Sequence, residues 1–411
     1  MLRIDGDRLL ADLEDLGRIG ATAQGGVTRR AFSETDLKGR RWFRERIREA
    51  GLEARQDGAG NLSAVLPCRD PAARTLLLGS HLDTVPDGGR YDGALGVLAA
   101  LEALRRVRER GLALAVHLEA ISFTDEEGSL LGEFGSLAVA GRLDEAALER
   151  ARGGAEALCA GMSRLGIDLE SARSARRSPR ELAGYLELHI EQGTRLEEGG
   201  IDIGAVTAIV GIRSARLRYR GLAGHAGTLP MGRRRDALLG AADFALAARE
   251  LVVERFDPGV VNCGSLAARP GAFNIVPGEA ELALEFRHRS EAELDRMEAA
   301  LFDLARDIAS RRRLELDIEG AGSCPAAPSS EEAVRAVEDA ADALGLSHRR
   351  LLSFAGHDAQ VMSTLTPSAM IFVPCVGGIS HNPREHCRPE DAINGANVLL
   401  GAALEMAAVR L

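Results

Sequence analysis

The chain has 411 residues, 45% of them hydrophobic and 27% charged, enough to fill more than one core at ordinary domain sizes. Lys and Arg number 51 against 61 Asp and Glu, a formal net charge of −10. That balance argues against nucleic acid or an anionic membrane as partner, since both are bound through basic surface. The sequence has no apolar run of about 18 residues, which argues against a transmembrane helix. The start, Met1-Leu-Arg-Ile-Asp-Gly-Asp, does not read as a signal peptide. Cys68, Cys159, Cys263, Cys324, Cys375 and Cys387 form no CxxC pair, which suits reduced thiols in a cytoplasmic protein.

Residues 32–51 carry charges around Leu37, Trp42, Phe43 and Ile47, a helical spacing closed by Gly51. Thr75-Leu-Leu-Leu-Gly and Val116-His-Leu-Glu-Ala-Ile-Ser-Phe-Thr are short apolar segments, and residues 94–109 between them read as an Ala/Leu-rich helix. Strand, helix, strand with both strands apolar is the pattern of a parallel sheet covered by helices. Near residue 205 the texture changes. Ala215, Leu217 and Tyr219 alternate with Arg216, Arg218 and Arg220, as Leu282, Leu284 and Phe286 do with Glu281, Glu285 and Arg287. Such alternation marks strands with one wet face, the habit of antiparallel sheets. Helices over about 235–254 and 291–313 would cover the dry face, and 331–345 followed by Ala369-Met-Ile-Phe-Val-Pro returns to helix and apolar strand. The expectation is a discontinuous α/β domain, residues 1–208 and 325–411, with a mostly parallel sheet flanked by helices. An α+β insert would occupy residues 209–324.

The segment richest in chemistry is Gly79-Ser-His-Leu-Asp-Thr-Val-Pro-Asp-Gly-Gly-Arg-Tyr-Asp-Gly-Ala-Leu-Gly. It follows an apolar strand and precedes a helix, where open α/β sheets place their sites. His81 and Asp83 share a face of an extended strand, and such a carboxylate can orient an imidazole through its second nitrogen. Asp92 lies in a glycine-rich turn that lets a carboxylate approach an ion closely. Thr124-Asp-Glu-Glu-Gly follows the next strand; three adjacent acids are costly unless cations neutralise them. At a turn Glu126 and Glu127 can divide labour, one ligating a metal and the other facing its water. His189-Ile-Glu-Gln-Gly and Gly378-Ile-Ser-His381-Asn-Pro supply two more imidazoles. HxD alone is commonly a plain hydrogen-bonded pair, and Glu-Glu-Gly a solvated turn. The ordered set of four motifs is what signals a site. His117, His288, His348 and His386 receive no catalytic task.

With these motifs the chain resembles the di-zinc aminoacylase/carboxypeptidase-type hydrolases, and within them the allantoate amidohydrolase and N-carbamoyl-L-amino-acid hydrolase branch. Gly221-Leu-Ala-Gly-His225-Ala-Gly-Thr-Leu-Pro-Met, Asn274-Ile-Val-Pro-Gly and Gly356-His-Asp-Ala carry the likeness further. His189 marks this branch, because the peptidase relatives generally offer a carboxylate there. The resemblance implies two divalent metal ions per subunit, Zn²⁺ or Mn²⁺/Co²⁺. His81, Asp92 and His189 would hold one, and Asp92, Glu127 and His381 the other. It implies Glu126 as general base, with Asp83 in the catalytic set, and Gln192, His225, Asn274 and Arg287 as substrate contacts. It further implies that the insert is a lid and the interface of a homodimer. The expected reaction is hydrolysis of a linear C–N bond in a small carbamoyl or ureido substrate. The rivals are an aminoacylase or dipeptidase on the same metals, and a catalytically silent, metal-stabilised dimeric binding module. Two positions depart from the branch pattern. Leu130-Leu131 stand where Arg-Phe is common, and Glu285-Phe-Arg287 where an Asp often precedes the Arg by two.

Overall fold

The computed structural model describes residues 2–408. Six strands form before the chain changes texture: β1 (Glu53–Gln56), β2 (Leu62–Leu66), β3 (Thr75–His81), β4 (His117–Phe123), β5 (Leu182–Ile190) and β6 (Ile203–Ile209). The next stretch holds β7 (Gly211–Arg220), β8 (Gly224–His225), β9 (Val260–Arg269), β10 (Ile275–Val276), β11 (Glu279–His288) and β12 (Glu315–Cys324). Last come β13 (Ala327–Pro328), β14 (His348–Ser353) and β15 (Ser368–Val373). The protein is mixed α/β, with a mostly parallel sheet flanked by helices and a separate, smaller antiparallel sheet.

The large sheet runs β1-β2-β4-β3-β5-β15-β6-β13, with β14 beside β6. Its centre is parallel: β4 with β3, β3 with β5 and β5 with β15. The flanking pairs β2–β4 and β15–β6 are antiparallel. Every residue of β3 is buried, which accounts for its unbroken apolar run; a parallel strand has helices on both faces. The helix Ala94–Glu109, with Leu95, Leu98, Leu101 and Leu104 fully buried, packs into this core. In the register His81 stands opposite Phe123, and Val373 opposite Ile190. The carboxyl ends of the four central strands are therefore level, and the loops that leave them converge.

Contact density separates Met1–Ala208 with Pro328–Leu411 from Ile209–Ala327. The latter unit is a four-stranded sheet, β12-β7-β11-β9. Ala215, Leu217, Tyr219, Leu282, Leu284 and Phe286 face its helices, Ala237–Arg255 and Glu291–Arg312, and are buried with Phe244, Val252, Met297 and Leu301. The alternating Arg and Glu residues lie on the opposite, wet face. No helix among the described residues is long and apolar enough to cross a membrane.

Candidate active site

Each loop at the carboxyl end of the large sheet is shaped by local hydrogen bonds before it presents a functional group. After β3 the chain turns through Gly93 at φ +63°, where a Cβ would come within 2.4 Å of the His81 ring. Glycine alone permits both the turn and the approach. Glu385 secures the same turn: its Oε1 accepts from the main-chain N–H groups of Tyr91 and Asp92 at 3.0 and 3.1 Å. After β4, Asp125 accepts from the main-chain N–H groups of Ser129, Leu130 and Leu131 at 2.6, 3.0 and 2.7 Å. The first acid of the triplet is thus the clasp of its own turn and needs no cation. Glu126 and Glu127 remain to face the site.

The tautomers of the two innermost histidines follow from their partners. His81 Nδ1 lies 3.0 Å from the Asp83 carbonyl oxygen, and His189 Nδ1 lies 2.9 Å from that of Ile190. A carbonyl can only accept, so both Nδ1 atoms carry a proton and both Nε2 atoms are left to face the acids, with either a second proton or a lone pair for a cation. The Nε2 of His189 is 2.9 Å from Asp92 Oδ1. That of His81 is 3.7 Å from the same oxygen and 3.5 Å from Glu126 Oε2. On the other side His381 Nε2 lies 3.2 Å from Asp92 Oδ2 and 3.5 Å from Glu127 Oε1. Lone pairs and carboxylate oxygens at these distances repel unless a proton or a metal cation lies among them.

Three sets of donor atoms meet this description: His81, Asp92 and His189; Asp92, Glu127 and His381; and His81, Glu126 and Glu127. Within each set the atoms lie within 4.8 Å of one another. Asp92 belongs to two sets, and its two oxygens point to different histidines. Imidazole nitrogen and carboxylate oxygen suit Zn²⁺, Mn²⁺ or Co²⁺.

Burial dominates the acid–base character. It drives the Glu126 carboxyl well above its usual range, aided by the charges of Glu127 and Asp358. Burial and the charge of Asp92 raise Glu127 to about 8. Burial opposes the Asp92 charge too, but the charge and hydrogen bond of His189 hold it well below the usual range. The hydrogen bond to Asp92 lifts His381 to about 9.

The structure revises the part read for Asp83. Its carbonyl, not its carboxylate, orients His81; the carboxylate Oδ1 is 3.9 Å from Nδ1, and Oδ2 accepts from the Glu127 N–H at 3.2 Å. A two-residue spacing cannot tell a side-chain from a main-chain acceptor. Gln192 lies within the cluster, its Nε2 donating to Asp92 Oδ2 at 2.9 Å and to Ser380 Oγ at 3.2 Å. In the smaller unit β8 and β10 pair, setting His225 opposite Ile275 and next to Asn274. His225 Nδ1 accepts from the Gly227 and Thr228 N–H groups. The Arg287 guanidinium donates to Glu285 Oε1 at 2.9 and 2.6 Å along its own strand.

Three further participants were not singled out from the sequence. Ser380 Oγ lies 3.0 Å from both Asp92 Oδ2 and Glu385 Oε2. His357, buried, sets its ring edge-on against that of His189 with centroids 4.4 Å apart, and burial keeps it neutral. Glu385 acts across 294 residues of chain, so no local pattern exposes it. His357 was within reach, since it lies in the Gly356-His-Asp-Ala segment.

Residues 77–405 match peptidase family M20/M25/M40. The chain belongs to this family. The M20 protein is 36% identical over 406 residues to the N-carbamoyl-L-amino acid amidohydrolase of Geobacillus stearothermophilus, covering 98% of this chain and 99% of that one. It is 34% identical over 411 residues to the ureidoglycolate hydrolase of Arabidopsis thaliana, covering 97% and 86%. Among solved structures, a hydantoinase/carbamoylase-family amidase from Burkholderia multivorans superimposes with a TM-score of 0.92 at 35% identity, over the whole of both chains. The M20 protein is accordingly a hydrolase.

Proposed function

We propose that this M20 hydrolase is a metal-dependent amidohydrolase that opens the linear C–N bond of a ureido or carbamoyl group. N-carbamoyl-L-amino acids are the leading substrates, with allantoate or ureidopropionate next. The observation that carries the reading is Asp92, whose two oxygens face two separate sets of donors. His81, Asp92 and His189 would hold one divalent ion, and Asp92, Glu127 and His381 the second. Bound there, Zn²⁺, Mn²⁺ or Co²⁺ supplies Lewis-acid polarisation of a carbonyl and lowers the pKa of water. Glu126 takes the proton of the attacking water and returns it to the departing nitrogen. Burial raises the proton affinity of its carboxylate, which suits it to that task. Gln192, His225, Asn274 and Arg287 are the proposed substrate contacts. The Arg287 fork would exchange Glu285 for a substrate carboxylate, which it can hold through two parallel hydrogen bonds.

Ammonia release from N-carbamoyl-L-amino acids, allantoate and ureidopropionate tests this, using chelated enzyme and enzyme resupplied with each metal. Metal-dependent release on one substrate class supports the reading. Silence across the panel alongside turnover of N-acetyl amino acids or dipeptides would replace it with an acylase or peptidase. The smaller unit is proposed as lid and dimer interface, and light scattering that returns a monomer at micromolar concentration would remove the dimer.

A further inference from the structure

We infer that Glu187 is a positioning residue for the metal site: a buried carboxylate whose hydrogen bonds fix the strands and loop that surround His81 and His189. The inference rests on the metal-site reading above. Glu187 lies on β5 two residues before His189 and has no solvent exposure. Its Oε1 accepts from Ser80 Oγ at 2.7 Å, and Ser80 is the neighbour of His81 on β3. Its Oε2 accepts from the Ala359 N–H at 2.9 Å, on the segment that begins with His357 and packs that ring against His189. Tyr185 O–H stands 3.1 Å from both Glu187 Oε2 and the Gly79 carbonyl, which ties β5 to β3 again. One carboxylate thus joins the two strands that deliver the inner histidines and the loop that buttresses one of them.

Stability alone does not explain an acid here. Leu186, Leu188 and Ile190, its neighbours on the strand, are fully buried, and none of its three donors is a cation. An apolar set in place of the acid and its side-chain donors commonly costs a fold less than a buried carboxylate does. What an apolar residue would lose is the fixed spacing of β3, β5 and the His357 loop. Groups that orient metal ligands from behind typically change metal affinity about 10- to 100-fold when removed.

The test uses full-length Glu187→Leu and Glu187→Gln, stripped of metal and titrated with Zn²⁺ against a chromophoric chelator. The visible spectrum of each Co²⁺ derivative is recorded as well. Leucine is expected to weaken Zn²⁺ binding by about 10- to 100-fold and to alter the Co²⁺ bands; because it also leaves the Ala359 N–H without its acceptor, the titration is run well below the melting temperature of the metal-free variant. Glutamine is expected to restore near-wild-type binding, because its oxygen can serve Ala359 and Tyr185 while its amide donates to Ser80. Wild-type affinity and spectrum in a folded Glu187→Leu protein would overturn the inference. If that variant does not fold, Ser80→Ala and Tyr185→Phe each remove one arm and should each show part of the loss; wild-type binding in both would equally overturn it. Wild-type protein that retains no Zn²⁺, Mn²⁺ or Co²⁺ overturns the metal-site reading itself, and this inference with it.

Discussion

The two units use the same charged residues in opposite ways. On the wet face of the four-stranded sheet, Arg218 pairs with Glu281 at 2.8 Å and reaches Asp317 at 3.5 Å. On the helix side, at the rim of the sheet, Arg213 meets Asp295, Glu298 and Glu291 of the helix Glu291–Arg312 at 2.7, 3.0 and 3.2 Å. These opposite charges meet in or near solvent, where each pair contributes little. At the end of the large sheet, Asp92, Glu126 and Glu127 lie within 3.7 Å of the imidazoles of His81, His189 and His381. Two of those imidazoles have Nδ1 tied to main-chain carbonyls, which leaves Nε2 to face the acids. The first arrangement is complete as it stands, and the second is an electrostatic debt that a bound cation would settle.

The contrast can be broken by experiment. Asp92→Asn removes the carboxylate common to two donor sets; turnover should vanish, and Zn²⁺ should no longer raise the melting temperature in calorimetry. Glu126→Gln should lower turnover by about 10²- to 10⁴-fold while metal content, read by elemental analysis, stays at the wild-type level. Full activity in that variant would remove Glu126 as the base. Arg29 offers a third kind of charge, a buried guanidinium that donates to the carbonyls of Leu82, Leu16 and Ile19 at 2.7, 3.1 and 2.9 Å. Arg29→Met leaves those carbonyls without a donor and should cost about 3 kcal/mol in urea unfolding. The smallest effect belongs to the wet face, where Arg218→Ala should leave both the melting temperature and turnover indistinguishable from wild type. A clear drop in either would mean that the paired surface carries more than solvation.

Much of this was legible in the sequence, for reasons that are local. Apolar spacing marks the helices Glu34–Glu49, Ala94–Glu109 and Glu331–Leu344. Strict alternation marks β7 and β11, because one face is dry and the other wet. The motifs around His81, Asp92, Glu127, His189 and His381 are recognisable because each loop must fit several groups at once, and the structure brings the donor atoms of each set within 4.8 Å of one another. What stayed hidden depends on partners far along the chain or on the main chain. Nothing near residue 385 announces that its carboxylate will clasp the turn at Tyr91 and Asp92. Nothing in a run of three acids says that Asp125 will spend itself on three N–H groups while its two neighbours do not.

The position of β15 has a consequence for how the enzyme is born. This late strand lies between β5 and β6, pairing with both, and His381 follows it. On the ribosome β5 and β6 emerge long before the strand that joins them, so the growing chain carries bare strand edges while the whole smaller unit is being made. A chain released before β15 would leave those edges bare and would lack His381. Activity would arrive together with sheet closure, once β15 and His381 have followed the smaller unit.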